Sequence, residues 1–159
     1  MTDMLVKLYD HALTSARSSL AKKDVTVKQA LTLDRNTICE FIEEQFSDVC
    51  PRWVDECTSS LYRNPTTCFI AVHNHKVIGF CCHDATAKGM LGPLGVHREF
   101  RGGGIARELL YQSFEAMKYA GYAYAIIGWV SSEEYYVKVC NAMTIPDSSP
   151  GVYSRLVSE

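Results

Sequence analysis

The sequence predicts an α/β domain in which an antiparallel meander leads into a strand-helix-strand unit, the whole flanked by helices. Three observations carry that expectation. Residues 68–82 form two apolar runs around a polar break, as a hairpin does. Ile105, Leu109, Leu110, Phe114 and Met117 fall at helical spacing before Gly121. Tyr122 to Val130, which follows at once, is almost wholly apolar, like a strand covered on both faces. No fixed-period repeat, low-complexity tract or Pro/Gly/Ser-rich linker divides the 159 residues, so one domain spanning 1–159 is expected. Within it, 1–23 reads as an N-terminal strand and helix extension on a core of about 24–159.

Taken in order, Leu5 to Tyr9 reads as a short strand, and Asp10 as the cap of a helix carrying Leu13, Ala16 and Leu20 on one face. Val25 to Val27 looks like a second strand. From Thr32 to Phe46, Ile38, Phe41, Ile42 and Phe46 form one face of a helix, with Glu40, Glu43 and Glu44 off that stripe. Pro51 suits the first turn of another helix, carrying Trp53, Val54, Cys57 and Leu61 before the Asn64-Pro65 break. Cys68 to Val72 and Val77 to Cys82 flank the turn His73-Asn74-His75-Lys76. Met90 to Val96 is apolar but holds Gly92, Pro93 and Gly95. Proline cannot donate to a ladder, so regular pairing is expected to fail there. A short helix from about Ser132 to Val139 and a last strand around Ala142 to Ile145 complete the order.

The composition excludes several classes of function. At this length a chain buries roughly two-thirds of its unfolded surface, so a core forms without disulfides or a structural metal. The 16 basic and 18 acidic side chains leave a formal charge of -2, without the basic field that drives nucleic-acid binding. No stretch approaches the ~20 apolar residues of a membrane span. Acids within the first ten residues argue against a signal or transit peptide, so neither nucleic acid nor membrane is expected as a partner and the expected location is cytoplasmic. Seven cysteines, an odd set without a C-x-x-C pair, read as free thiols of a reducing compartment. Cys81 and Cys82 are adjacent on a strand and point to opposite faces, so with His83 they do not make a zinc site, and no metal is expected.

The chemistry-bearing feature is the turn from His97 to Arg107, between an apolar strand and an amphipathic helix. Free amides at a helix start, with glycines that let backbone approach closely, make a site for a phosphate or pyrophosphate. What the turn lacks narrows the ligand. Ile105 and Ala106 stand where a Walker loop needs Lys and Ser or Thr, which argues against ATP or GTP hydrolysis. Arg107 stands at the third glycine position of a dinucleotide fingerprint, and no acid ends the strand at Gly128-Trp129-Val130, which argues against NAD.

Arg101, Gly104 and Ala106 instead spell R-x-x-G-x-A, and with the strand before and the helix after them the sequence resembles the GNAT superfamily of acyl-CoA-dependent N-acetyltransferases. The resemblance runs through Glu134-Tyr135-Tyr136-Val137-Lys138, which looks like the family's aromatic-Tyr helix. It departs from the usual pattern at Asn141-Ala142, where the family commonly has Gly-Phe, and at Ser131-Ser132, where an Asn is frequent. The resemblance implies a mixed, mainly antiparallel central sheet with a splayed parallel strand pair. It also implies acetyl-CoA (coenzyme A) as co-substrate, a primary amine on a small molecule or peptide as acceptor, and direct attack in a ternary complex. Gly92, Pro93 and Gly95 then suit a strand that leaves backbone groups free for the pantetheine arm.

In the roles so implied, Arg101, Gly102, Gly103, Gly104, Ala106 and Arg107 hold the pyrophosphate, and the amide of Leu94 or Val96 polarises the acetyl carbonyl. Tyr136 is the general acid, a phenol of pKa about 10 serving a thiolate of about 8.5. No carboxylate or histidine occupies Met90 to Val96, so no base is assigned. His83 and Asp84 are substitutes that read better as turn residues. Glu43, Glu44, Asp48, Asp55 and Glu56 read as solvated helix surface, and Trp53 and Trp129 as core more readily than as pocket walls. The resemblance also implies that a homodimer could form, two copies pairing through edge strands near either terminus. The alternative to an enzyme is a non-catalytic acyl-CoA-binding or sensing module of the same fold.

Overall fold

The computed structural model describes residues 1–11, 13–15 and 17–158, with the side chain of Ser18 left out. In chain order the elements are β1 (Met4–Lys7), β2 (Val25–Gln29), α1 (Arg35–Phe46), α2 (Trp53–Leu61), β3 (Cys68–His73), β4 (Lys76–His83), β5 (Met90–Val96), α3 (Ile105–Tyr119), β6 (Tyr124–Ile127), α4 (Glu133–Cys140) and β7 (Met143–Thr144). One sheet has the order β2-β3-β4-β5-β6-β1-β7. Every neighbouring pair is antiparallel except β5 and β6, which run parallel.

Helices cover both faces of the sheet. On one, Leu109, Leu110, Phe114 and Met117 of α3 pack against β2, β3 and β4, in a core that extends to β1 and β6. On the other, Ile38, Ile42 and Phe46 of α1 and Leu61 of α2 pack against Ile70 and Phe80. The stripe of Ile38, Phe41, Ile42 and Phe46 read from sequence is the buried face of α1. The β3–β4 turn tightens to Asn74 and His75, both at positive φ, which matches the right-handed twist of the flanking strands. Among the described residues no helix is long and apolar enough to cross a membrane.

Three expectations need correction. The N-terminal helix after Asp10 is absent from the described residues, where a single 3-10 turn at Arg17–Ser19 stands instead. Ala16 lies outside them, while Leu13 and Leu20 are still buried. The strand expected from Tyr122 to Val130 is four residues long. It ends where Gly128 is followed by Trp129 at φ 48, and Tyr124 stays exposed against Tyr9 instead of being covered. The last strand contracts to Met143–Thr144, and it pairs with β1, which is inserted between β6 and β7. The chain's first strand thus lies beside β6, a placement that no local pattern encodes.

Candidate active site

The turn after β5 is built to present amides. Arg98–Phe100 makes one 3-10 turn, and the Arg101 amide closes on the Arg98 carbonyl. The Arg101 side chain folds back, its Nε donating to the Val96 carbonyl at 3.1 Å, which ties the turn to the end of β5. Gly102 and Gly104 lie at φ 78 and 88, a region costly for any residue with a Cβ. The Gly103 carbonyl accepts from the Ala21 amide at 3.1 Å, so the N-terminal segment braces the turn from outside. The Glu108 amide opens the helical ladder on the Gly104 carbonyl. Among the described residues, the amides from Gly102 to Arg107, Ala106 included, therefore have no backbone acceptor, and the positive end of the α3 dipole lies behind them. A Cβ on Gly102 would meet nothing within 4 Å, so glycine there serves φ and close approach, not packing. The Arg107 guanidinium donates to Thr14 Oγ1 at 3.3 Å.

The open edge of β5 follows from its register. Gly79 faces Val96 and Phe80 faces Gly95, and the His97 amide donates to the Ile78 carbonyl. Alternation along an antiparallel pair then turns the amides of Leu94 and Val96 away from β4. On that far side β6 is paired only at Met90 and Leu91, so the two strands splay beyond Leu91. Gly92 and Pro93 together oppose the single residue Cys82, a bulge at which proline's missing donor costs nothing.

A cavity of about 910 Å³ opens at the splay, walled by Leu94, Trp53, Glu56, Trp129, Tyr136 and Tyr153 among others. Tyr136 is half-buried on α4, its ring edge-on to Tyr135 at 5.1 Å. Burial, then Cys81, Tyr135 and Cys140, push its phenol above the ordinary range, so it carries its proton at neutral pH. Tyr136 shares the cavity lining with Gly92, Pro93 and Leu94, which puts it beside the splayed part of β5. The helix ends on Asn141 at φ 54, with the Asn141 and Ala142 amides donating to Val137 and Tyr136. Asn, after glycine the residue that best tolerates this conformation, thereby keeps the cap where the family's usual glycine is missing.

In the lining of the same cavity, α2 supplies a carboxylate the sequence reading left on the surface. Glu56 Oε1 accepts from the Thr86 hydroxyl, and burial holds its pKa above the ordinary carboxylate range. The Tyr153 hydroxyl, close to Thr86 and Glu56, is pushed up to about 12 by burial first. Its ring lies 4.2 Å from Trp129, whose amide donates to Asp3 Oδ1 and whose indole donates to the Pro150 carbonyl. A Cβ on Gly128 would come within 2.7 Å of the Tyr153 hydroxyl, so glycine there makes room for that ring. Trp53 and Trp129 are cavity walls, a correction to the core expectation, although Trp53 also packs on Phe46. Glu43, Glu44 and Asp48 are exposed, as expected of a solvated face. A signal for Glu56 did exist, because it shares a helical stripe with Trp53 and Ser60. None existed for Tyr153, which sits in an aperiodic tail.

His83 and Asp84 lie outside the cavity lining. Asp84, at φ 55, accepts from the Gly89 amide at 2.7 Å and the Tyr122 hydroxyl at 2.8 Å, and its other oxygen is 3.1 Å from His83 Nδ1. They clamp the loop before β5, which is the turn role read from sequence.

Comparison with known proteins bears on this arrangement. No curated protein sequence matches the chain at a significant level. Among solved structures it is similar to the GCN5-related glucosamine N-acetyltransferase region of a fungal multi-domain GH3 beta-N-acetylglucosaminidase. That match has a TM-score of 0.71 and 15% identity over 91% of this chain and 19% of that one. It is also similar to a GCN5-related N-acetyltransferase from Sphaerobacter thermophilus, with a TM-score of 0.68 and 22% identity over 91% and 48% of the two chains. A GNAT family acetyltransferase from Brucella melitensis, solved in complex with acetyl-CoA, matches with a TM-score of 0.59 and 17% identity over 76% and 86%. The chain spans about a fifth and about half the length of the first two, and at these identities the likeness is one of fold. The acetyltransferase (GNAT) family model matches residues 35–140, the stretch that holds the splay, the glycine turn and Tyr136, and by that match the chain belongs to the GNAT family.

Proposed function

We propose that the chain transfers an acetyl group from acetyl-CoA to a primary amine by direct attack in a ternary complex. The observation that carries this is the splayed edge of β5, whose Gly92, Pro93 and Leu94 line the cavity at which Tyr136 stands and which runs on in sequence into the turn whose amides, from Gly102 to Arg107, have no backbone acceptor among the described residues. Acetyl-CoA supplies an acyl group activated as a thioester. The amides from Gly102 to Arg107 hold its pyrophosphate, and the edge of β5 receives its pantetheine arm. The amide of Leu94 or Val96 donates to the carbonyl oxygen as it gains charge. Tyr136 delivers a proton to the departing thiolate, and its phenolate takes back the proton that the acylated nitrogen sheds as the tetrahedral intermediate collapses to the amide. Glu56 takes the proton that the ammonium form of the acceptor must lose, directly or through one water.

The cavity also supports a class of acceptor. Asp55 and Glu56 are balanced by Arg52 and Arg155 in its lining, and Trp53, Leu94, Val130 and Tyr153 make much of the rest. A wall without net negative charge suits a monoamine with an apolar body, not a polyamine or an aminoglycoside. The absence of a carboxylate on β5 is the observation behind the rival reading, an acyl-CoA-binding module without turnover.

Product masses after incubation with acetyl-CoA and phenethylamine, spermidine or kanamycin test both parts. Phenethylamine is expected to lead by at least about tenfold in kcat/KM, a difference of about 1.4 kcal/mol. Preference for either polycation would overturn the acceptor class, and no acetylated amine at all would overturn the transfer reading. Glu56→Gln is expected to lower kcat/KM by roughly 10²-fold and to leave the KM for acetyl-CoA unchanged. Because the Glu56 pKa is raised, its basic form is present only above that raised pKa, and wild-type activity falls as pH drops through it. The variant should lose this acid limb, and an unchanged pH profile would remove Glu56 from the role.

A further inference from the structure

Three cysteines distant in sequence meet in the core beneath α2. Cys57 on α2, Cys68 on β3 and Cys82 on β4 have sulfurs within 4.8 Å of one another, with Cys57 Sγ 4.0 Å from Cys68 Sγ. All three are free thiols and 0% exposed. Cys68 and Cys82 are direct partners across the β3–β4 pair, so their side chains share a face, and α2 lays Cys57 over them. The Ser60 hydroxyl, 2.7 Å from the Cys57 carbonyl, is also 3.3 Å from Cys82 Sγ. Cys81 and Cys82 do point to opposite faces, Cys81 toward α3 and Cys82 toward α2. That geometry dismisses the adjacent pair as joint ligands, but it leaves this trio assembled from three elements.

We propose that Cys57, Cys68 and Cys82 form a site for a trivalent thiophilic ion, of which arsenic(III) is the type. Bonds of about 2.3 Å to sulfur hold three sulfurs of one ion roughly 3.4–4 Å apart, so the trio closes on an ion by side-chain movements of under about 1 Å. Charge then selects among thiophilic ions. The surroundings include the buried apolar side chains of Ile38, Leu61, Ile70 and Phe80, and net charge in such a place is costly. Zinc(II) on three thiolates leaves one negative charge and seeks a fourth ligand, and copper(I) leaves two. A trivalent ion on three thiolates is neutral. The exchange balances without oxidation or reduction: arsenous acid, As(OH)3, loses three hydroxides, each leaving as water with one thiol proton, and three As–S bonds form. Cys57 directly follows Glu56 on α2, so an occupied site also pins the helix that walls the cavity.

The test uses the full reduced chain with sodium arsenite at one equivalent. Native mass spectrometry is expected to show one arsenic gained and three hydrogens lost per chain, and the thermal midpoint should rise. Arsenic-edge X-ray absorption should show three sulfur neighbours and no oxygen. Cys57→Ala and Cys68→Ala should each abolish the three-sulfur adduct. The triple variant C39A/C50A/C140A keeps the trio and should bind as the wild type does. No adduct, an arsenic that keeps an oxygen neighbour, or the same three-sulfur adduct in Cys57→Ala would overturn the proposal. Tighter binding of zinc or copper(I) than of arsenite would overturn the charge argument that selects the ion.

Discussion

Replacing Tyr136 by Phe should lower kcat for acetyl transfer by roughly 10²-fold or more, with acetyl-CoA binding and thermal stability close to wild type. The substitution removes one oxygen and keeps the ring that meets Tyr135 edge-on. Among the described residues the Tyr136 hydroxyl has no hydrogen-bond partner in the protein, so its loss leaves no buried group stranded. Its value lies in the reaction, where a phenol kept protonated by burial is available to the departing thiolate. Acetylated product should be read by mass, because a reagent that detects released thiol also meets the chain's seven free cysteines. A variant that turns over at the wild-type rate across pH would end the general-acid role.

Gly95→Ala should cost roughly 1–3 kcal/mol of stability, which for a chain of this size is several degrees in Tm. A Cβ there would stand 2.7 Å from Phe46 Cζ and 2.9 Å from Phe80 Cε1. Phe46 cannot easily retreat, since Phe41, Trp53 and Phe80 surround it with ring centroids 5.3 to 5.8 Å away. Gly102 offers the contrast. A Cβ there meets open space, so Gly102→Ala carries only the conformational cost of positive φ, about 1 kcal/mol, and its larger effect should fall on acetyl-CoA binding. Denaturant midpoints of the two variants separate packing from ligand approach. Equal stability of Gly95→Ala and wild type would contradict the packing assignment.

Gly95 also marks what was legible in the sequence. Together with Gly92 and Pro93 it announced an irregular strand, which was right, yet its glycine is demanded by two phenylalanines, one of them on α1, and not by the open edge. Local patterns were readable because they are local. The α1 stripe is one example. The spacing of Arg101, Gly104 and Ala106 is another, since the turn that exposes the amides is set by its own backbone. Features made by long-range pairing were not readable. The insertion of β1 between β6 and β7 depends on contacts more than a hundred residues apart in sequence. The wall formed by Tyr153 depends on Asp3, Trp129 and Pro150 holding an aperiodic tail at the cavity mouth. Glu56 was misread as surface because its neighbours Asp55 and Glu43 are, and only the packing of α2 on the sheet shows which acid turns inward.

The most direct test of the central claim follows the acetyl group itself. The purified chain is incubated with acetyl-CoA bearing a heavy-isotope acetyl group and with phenethylamine, and both CoA species and amine are weighed. Transfer through the β5 edge and Tyr136 predicts heavy acetyl on the amine nitrogen in amounts that grow with enzyme and time, and far less of it with Tyr136→Phe. Heat protection by acetyl-CoA with the thioester left intact, for this amine and for every other amine tried, would contradict the account and leave an acyl-CoA-binding module in its place.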